Sequence, residues 1–257
     1  MTRVLLYSGG VDSMALSMLW PHDTKLYVDM CTKYSRSEKA HLTSGVQIIT
    51  LPLTLWERPD GIIPCRNLIL TTMASIYGDT IAFGAIAGER MLDKTPTFAD
   101  KASDILSYLW AAGEPGRRPQ GWTEGREIKV ELPIVHLTKA QLIKEIIKVK
   151  GRPAAEKLAR EAWSCYDPVF FRARQRREKG QWTTPISQRC GKCKPCLRNW
   201  LAFHDVGIEV PYKIDVQDLV PLCEGRGEES AIAARAIADA DDRAAPSPLG
   251  ASGLSSG

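Results

Sequence analysis

Two groups of residues in this chain have types and spacings suited to chemistry. The first is Ser8-Gly9-Gly10-Val11-Asp12-Ser13, which follows the apolar run Arg3-Val4-Leu5-Leu6-Tyr7 and precedes Met14-Ala15-Leu16-Ser17-Met18-Leu19-Trp20. A short apolar run followed by a longer helical pattern reads as a strand, a turn and a helix start. Unpaired N–H groups and the helix dipole at such a turn favour an anion such as phosphate. Gly9 and Gly10 permit close backbone approach and positive φ, while Ser8 and Ser13 offer hydroxyl groups. Asp12 is the odd member, because a carboxylate beside phosphates is repelled unless a metal or cation intervenes; it points to a magnesium-nucleotide site. The alternative is a tight turn with Asp12 or Ser13 as an ordinary N-cap. The hexapeptide lacks the Gly-Lys-Ser/Thr ending of a Walker loop and the G-x-G-x-x-G of a dinucleotide fold.

The second group is Cys190, Cys193 and Cys196 in CGKCKPC, with Cys165 upstream in WSCY. Thiolates bind zinc tetrahedrally, and a C-x2-C pair presents two sulfurs to one ion from a tight turn. Cys165 is the natural fourth ligand, although 24 residues separate it from Cys190 and nothing local fixes their approach. A closed four-thiolate set leaves no free nucleophile, so the reading is structural zinc rather than a redox dithiol. Cys31 and Cys65 read as core or near-site thiols, and His204 as an ordinary helix residue.

The elements that must hold these groups follow an alternating pattern. Strand-like runs fall at residues 4–7, 25–29, 46–50, 80–84 and 128–132, with helical patterns near 35–43, 67–77 and 98–110. This predicts a parallel sheet covered by helices, with ligands at the carboxyl ends of the strands, where the glycine turn lies. Thr138-Lys139-Ala140-Gln141 matches a capping box, and LIKEIIKVKG continues it as an amphipathic helix ending at Gly151. Residues 113–126, rich in Gly, Pro and Arg, read as a flexible insertion. The expected organisation is an ATP-binding α/β domain over 1–150, a helical zinc-binding region over 151–212 and a tail over 213–257. That tail carries a candidate helix in EESAIAARAIADADDRAA and ends in a small polar run expected to be disordered.

Composition adds bounds. At 257 residues and 44% hydrophobic, the chain can bury a full core. A net charge of +4 does not by itself argue for nucleic acid. The basic run FRARQRREKG reads first as a solvated helix face and second as a contact for phosphate or nucleic acid. No run approaches a membrane span, the apolar start is too short for a signal peptide, and the seven cysteines are an odd number. The expectation is a cytoplasmic protein.

The glycine turn resembles the pyrophosphate loop of the ATP pyrophosphatase superfamily. The ordered set SGGVDS, IPCRN (Cys65 standing at the glycine of VPGRN), PIVHLTKAQLI and WSCY with RCGKCKPCLRN resembles, over roughly residues 1–212, the 7-cyano-7-deazaguanine synthase family. That resemblance implies a Rossmann-like, adenine nucleotide alpha hydrolase-like fold with a small zinc-binding region, and a homodimer. It implies an ATP-dependent ligase that joins ammonia to 7-carboxy-7-deazaguanine and dehydrates the amide to a nitrile, making AMP and pyrophosphate twice. Tyr7, Ser8, Gly9, Gly10, Val11, Asp12 and Ser13 would hold ATP and magnesium, with Arg66 and Asn67 contacting nucleotide or anchoring a turn. Lys139 would either face the phosphates or stand in solvent. Gly84 and Asp93 fall in the expected substrate segment, where Asp93 would accept from a guanine-like N–H edge. That segment departs from the family pattern at Ile86 and Thr95, as do MCTKYSRSE after the second strand and His136. Two other readings stand beside this one: an RNA-modifying adenylating enzyme such as a tRNA thiolase, and a non-catalytic nucleotide-binding scaffold.

Overall fold

The computed structural model describes residues 1–59, 62–89, 91–111, 125–167, 169–170, 187–224 and 227–244. The basic run at 171–180, the small polar run at 246–257 and nearly all of the 113–126 segment lie outside them. The first half alternates as the periodicity predicts: β1 (Arg3–Leu6), α1 (Val11–Leu19), β2 (Thr24–Asp29), α2 (Ser35–Ala40), β3 (Val46–Thr50), α3 (Arg66–Ser75), β4 (Thr80–Phe83), α4 (Pro96–Leu109) and β5 (Lys129–Glu131). These strands form one parallel sheet in the order β3-β2-β1-β4-β5. Crossovers leave β1 in both directions, so the crevice between the loops after β1 and β4 is the switch point where open α/β sheets bind ligands.

Burial explains why β1 occupies the centre. Leu5 and Tyr7 enter one apolar cluster and Val4 and Leu6 enter another, so β1 is covered on both faces, as a parallel strand requires. The Val4 and Leu6 face is packed by Ala74 of α3 and by Ala99, Ala102 and Leu106 of α4. β3, at the edge, keeps Ile48 exposed.

The second half supplies the other layer. α5 (Lys139–Lys150) begins at the expected capping box, with Thr138 and Gln141 bonding each other's backbone N–H, and stops at Gly151. α6 (Arg152–Glu161), a two-residue antiparallel pair of β6 (Val169–Phe170) and β7 (Ser187–Gln188), and α7 (Lys194–His204) follow. α8 (Val220–Cys223) and α9 (Glu228–Ala244) complete the described chain. Leu158 of α6, Leu201 of α7 and Ile232 of α9 share one cluster with Leu5 of β1 and Leu16 of α1. The helix expected near 228–245 is therefore present and packs on the same core as the sheet. Among the described residues, no helix is long and apolar enough to cross a membrane.

Candidate active site

The turn after β1 starts α1 without a side-chain cap. Gly10 is the N-cap residue, in extended geometry, and no side chain bonds it as a cap would, so neither Asp12 nor Ser13 plays the N-cap role. Gly9 adopts φ +74°, a conformation that strains any L side chain, and its carbonyl accepts the Trp163 N–H at 2.7 Å. Serine hydroxyls engage the loop amides. Ser13 Oγ accepts from the Ser8 N–H at 3.2 Å and donates to Gly10 O at 3.1 Å, and Ser164 Oγ accepts from the Val11 N–H at 3.3 Å. These hydroxyls hold the turn, and the N–H groups that follow in the first turn of α1 are the donors that an anion would meet at the start of a helix. The side chains of Tyr7 and Val11 belong to the core cluster, and both residues also line the cavity beside the loop.

Lys139 does not stand in solvent. As the first residue of α5 it reaches back to α1, and its Nζ lies 2.7 Å from Asp12 Oδ1 with both side chains largely buried. The carboxylate that seemed out of place among phosphate-binding groups therefore has a cation beside it. Gly84 packs directly on this pair: a Cβ there would stand 3.0 Å from the Asp12 carbonyl carbon and 3.1 Å from the Ser13 nitrogen.

A cavity of about 590 Å³ opens at this crevice and draws the predicted residues together. Ser8, Gly10, Asp12, Ser13, Arg66, Asn67, Gly84, Asp93 and Lys139 all line it, and Gly9 faces the Trp163 backbone instead. Asn67 is buried and its Nδ2 donates to Asp93 O at 3.1 Å, so it orders the Asp93 turn. Asp93 Oδ1 is buried with no hydrogen-bond partner among the described residues, an acceptor beside the cavity.

The departures from the family pattern have structural explanations. Ile86 is a core residue, 3% exposed. Thr95 is the N-cap of α4, accepting the Phe98 N–H at 3.2 Å. Cys65, at the glycine of the family's motif, keeps a glycine-like left-handed backbone with φ 56°. Cys31 is left-handed too, with φ 58°, and both thiols are exposed rather than in the core.

Some lining residues gave no clear signal in the sequence. Glu38 of α2 lines the cavity, and its Oε2 accepts from the Tyr27 hydroxyl at 2.8 Å. Burial raises its carboxyl to about 7, and Arg66 offsets only part of the rise. Tyr34 and Tyr166 stack with ring centroids 5.4 Å apart and also line the cavity. Burial raises both phenols, again opposed by Arg66. Lys194, Arg198 and Asn199 contribute a further wall from α7, and Arg198 is anchored by Glu229 of α9 at 2.5 Å. The one available hint was position: Glu38 and Tyr34 follow a strand's carboxyl end, where parallel sheets bind ligands.

The cysteines converge as expected. The sulfurs of Cys165, Cys190, Cys193 and Cys196 lie within 4.8 Å of one another, with Cys165 and Cys193 at 4.0 Å. Zinc bound at about 2.3 Å from each of four sulfurs requires edges near 3.8 Å, so the donor set fits the ion. Backbone amides point at the sulfurs: Cys190 N to Cys165 Sγ at 3.3 Å, and Lys192 N and Cys193 N to Cys190 Sγ at 3.4 and 3.2 Å. Gly191, with φ +72°, lies so close to the Lys213 carbonyl that a Cβ would overlap it. His204 is an α7 residue stacked on Trp200.

Comparison with known proteins agrees with this geometry. A family model described as "Queuosine biosynthesis protein QueC" matches residues 28–207, starting after the glycine turn, so the turn and the match are separate observations. Curated 7-cyano-7-deazaguanine synthase 1 of Sphingopyxis alaskensis is 24% identical over 246 residues, covering 82% of this chain and 96% of its own. The 7-cyano-7-deazaguanine synthase of Citrifermentans bemidjiense is 26% identical over 164 residues, covering 61% and 60%. For 7-cyano-7-deazaguanine synthase 2 of Sulfurisphaera tokodaii the match covers 60% of this chain and only 27% of that one, at 24% identity. A solved chain described as a predicted subunit of a tRNA methyltransferase from Methanocaldococcus jannaschii covers 60% of this chain and 91% of its own. At 13% identity and a TM-score of 0.34 it is too loose a likeness to carry an argument. With the family model spanning well over half of its length, and with the cysteine cluster and the Arg66, Asn67, Asp93 and Lys139 part of the cavity lying inside that span, the chain belongs to the QueC family.

Proposed function

We propose that this chain is an ATP-dependent ligase that converts 7-carboxy-7-deazaguanine and ammonia to 7-cyano-7-deazaguanine, feeding 7-deazaguanine biosynthesis. The supporting observation is that the Ser8–Ser13 turn, with its Asp12–Lys139 pair, shares one cavity with Glu38, Asp93 and a stacked tyrosine pair suited to a purine-like ring. The relatives' names supply the substrate class.

In this reading the loop amides and the Ser8 and Ser13 hydroxyls bind the pyrophosphate end of ATP, stabilising charge that grows as the Pα–O bond breaks. Asp12 is a hard oxygen donor of the kind magnesium takes, and that ion, when bound, neutralises charge on the departing pyrophosphate. Lys139 holds Asp12 and adds a second positive charge. The substrate carboxylate attacks the α-phosphorus and pyrophosphate leaves; ammonia then displaces AMP to give an amide. The amide oxygen attacks the α-phosphorus of a second ATP and pyrophosphate leaves; loss of AMP and of the two amide protons then gives the nitrile. Asp93 accepts from the N–H edge of the base, Arg66 contacts nucleotide and Asn67 keeps the Asp93 turn in place. The four cysteines hold zinc, which when bound stabilises the wall formed by α7. ATP binding belongs to residues 1–150 and metal binding to 151–212.

The test is incubation of the protein with ATP, magnesium, ammonia and 7-carboxy-7-deazaguanine, followed by mass spectrometry. Nitrile with about two AMP per product supports the reading, and unchanged substrate with no AMP from zinc-containing protein overturns it. Participation of Cys165, Cys190, Cys193 and Cys196 in one cluster withdraws the C-x2-C thiols from the sulfur-transfer role that the thiolase alternative gives them.

A further inference from the structure

Three consecutive residues connect the cysteine cluster to the glycine turn. Trp163 donates its N–H to Gly9 O at 2.7 Å, Ser164 Oγ accepts the Val11 N–H at 3.3 Å, and Cys165 contributes its sulfur to the cluster. The contact is close, since a Cβ on Gly10 would meet Ser164 Oγ at 3.2 Å and Trp163 O at 3.7 Å. Little slack exists around the strap. The Trp163 ring is 4% exposed and stacks on His41 at 3.8 Å, and the buried Arg189, one residue before Cys190, donates to the carbonyls of Arg160 and Ala162.

The cysteines are not equally held. Cys190, Cys193 and Cys196 share one local turn and the start of α7, whereas Cys165 joins them from a distant segment. An ion bound by all four fixes where Cys165 sits, and therefore where Ser164 presents its oxygen. Val11 is the first helical residue of α1, so by taking its N–H Ser164 fixes the helix start whose next N–H groups, those of Asp12 and Ser13, an anion would meet.

We propose that the cysteine cluster orients the phosphate-binding loop through Ser164, so that metal occupancy and nucleotide binding strengthen each other. Ser164 is a positioning residue in this scheme: it sets the Val11 amide rather than acting on the reacting atoms. The inference rests on the ATP-loop reading given above. Coupling between two binding equilibria is reciprocal, so it can be read from either side.

The experiment uses the zinc-loaded full chain and a non-hydrolysable ATP analogue with magnesium. Zinc affinity is measured by competition with a chromogenic chelator, and analogue binding by calorimetry. Saturating analogue should tighten zinc binding about 5-fold or more. In Ser164→Ala, compared at the same multiple of its own analogue Kd, the tightening should fall below about twofold, with analogue Kd raised about tenfold. Ser164→Thr, which keeps the hydroxyl, should retain the tightening. If the cluster merely keeps the protein folded, the tightening survives Ser164→Ala intact, and the proposal is overturned. Analogue binding without any change in zinc affinity overturns the coupling and leaves the ATP reading standing. Failure of the zinc-loaded protein to bind the analogue at all overturns both.

Discussion

One wall of the cavity is made by a single hexapeptide and another by scattered segments, and the two are held in different ways. The Ser8–Ser13 wall is set by chain geometry: β1 leads into α1, Gly9 bends the backbone, and serine hydroxyls hold the amides. The wall of Glu38, Arg66, Asp93 and Tyr166 draws on α2, α3, the segment after β4 and the strap beside Cys165, and it carries ionisable groups whose charge the burial opposes. A site for a shared, invariant chemical group suits the first construction. A site that adapts to one particular acceptor suits the second, because each segment can change while the sheet remains.

The strongest way to break this comparison is Asp12→Asn. It removes the charge facing Lys139 without adding bulk, and AMP formation should drop about 10²- to 10³-fold in a steady-state assay while the circular dichroism spectrum is retained. An unchanged rate would place the chemistry elsewhere.

Gly84→Ala should come next. The new Cβ must push on the backbone of Asp12 and Ser13, which cannot swing aside as a flexible side chain would. A displacement of a few tenths of an ångström should cost about 10-fold or more in turnover, up to about 10²-fold. Single-turnover kinetics would separate that loss from weakened acceptor binding.

Glu38→Gln sharpens the contrast from the other wall. The carboxyl lies at about 7 in the folded protein against an ordinary 4.5, so the folded state holds the extra proton between those values. Stability from this group is full below about pH 4.5, falls as pH rises across the window and is lost above about pH 7. Gln keeps an acceptor for the Tyr27 hydroxyl and carries no charge. Urea unfolding should show the variant about 2 kcal/mol more stable than the parent at pH 8, with the gain gone by about pH 4. A pH-independent difference would show that the Glu38 carboxyl titrates alike in the folded and unfolded chains.

Cys65→Gly has the smallest expected effect. Relief of the left-handed strain at φ 56° is partly offset by the greater freedom of glycine in the unfolded chain, leaving a gain of about 0.5–1 kcal/mol by denaturant titration. A loss instead would mean that the thiol makes a compensating contact.

Much of the fold was legible because its determinants are local. Every central strand was found to within about a residue at each end, since an apolar run flanked by turn residues specifies a buried parallel strand over a short span. The Thr138–Gln141 box, the C-x2-C turn and the Ser8–Ser13 loop contain contacts three to five residues apart, so residue type and spacing were enough to find them. What only the tertiary structure decided are meetings across long separations: Lys139 with Asp12, Ser164 with Val11, Cys165 with Cys190, and Glu38 and Tyr34 with Arg66 and Tyr166. Those depend on the strand order β3-β2-β1-β4-β5 and on how α5, α6 and α7 pack over β1. Periodicity tells each segment which face to bury, but the choice of neighbour is made by the fit of whole buried surfaces, and that fit belongs to no single stretch of chain.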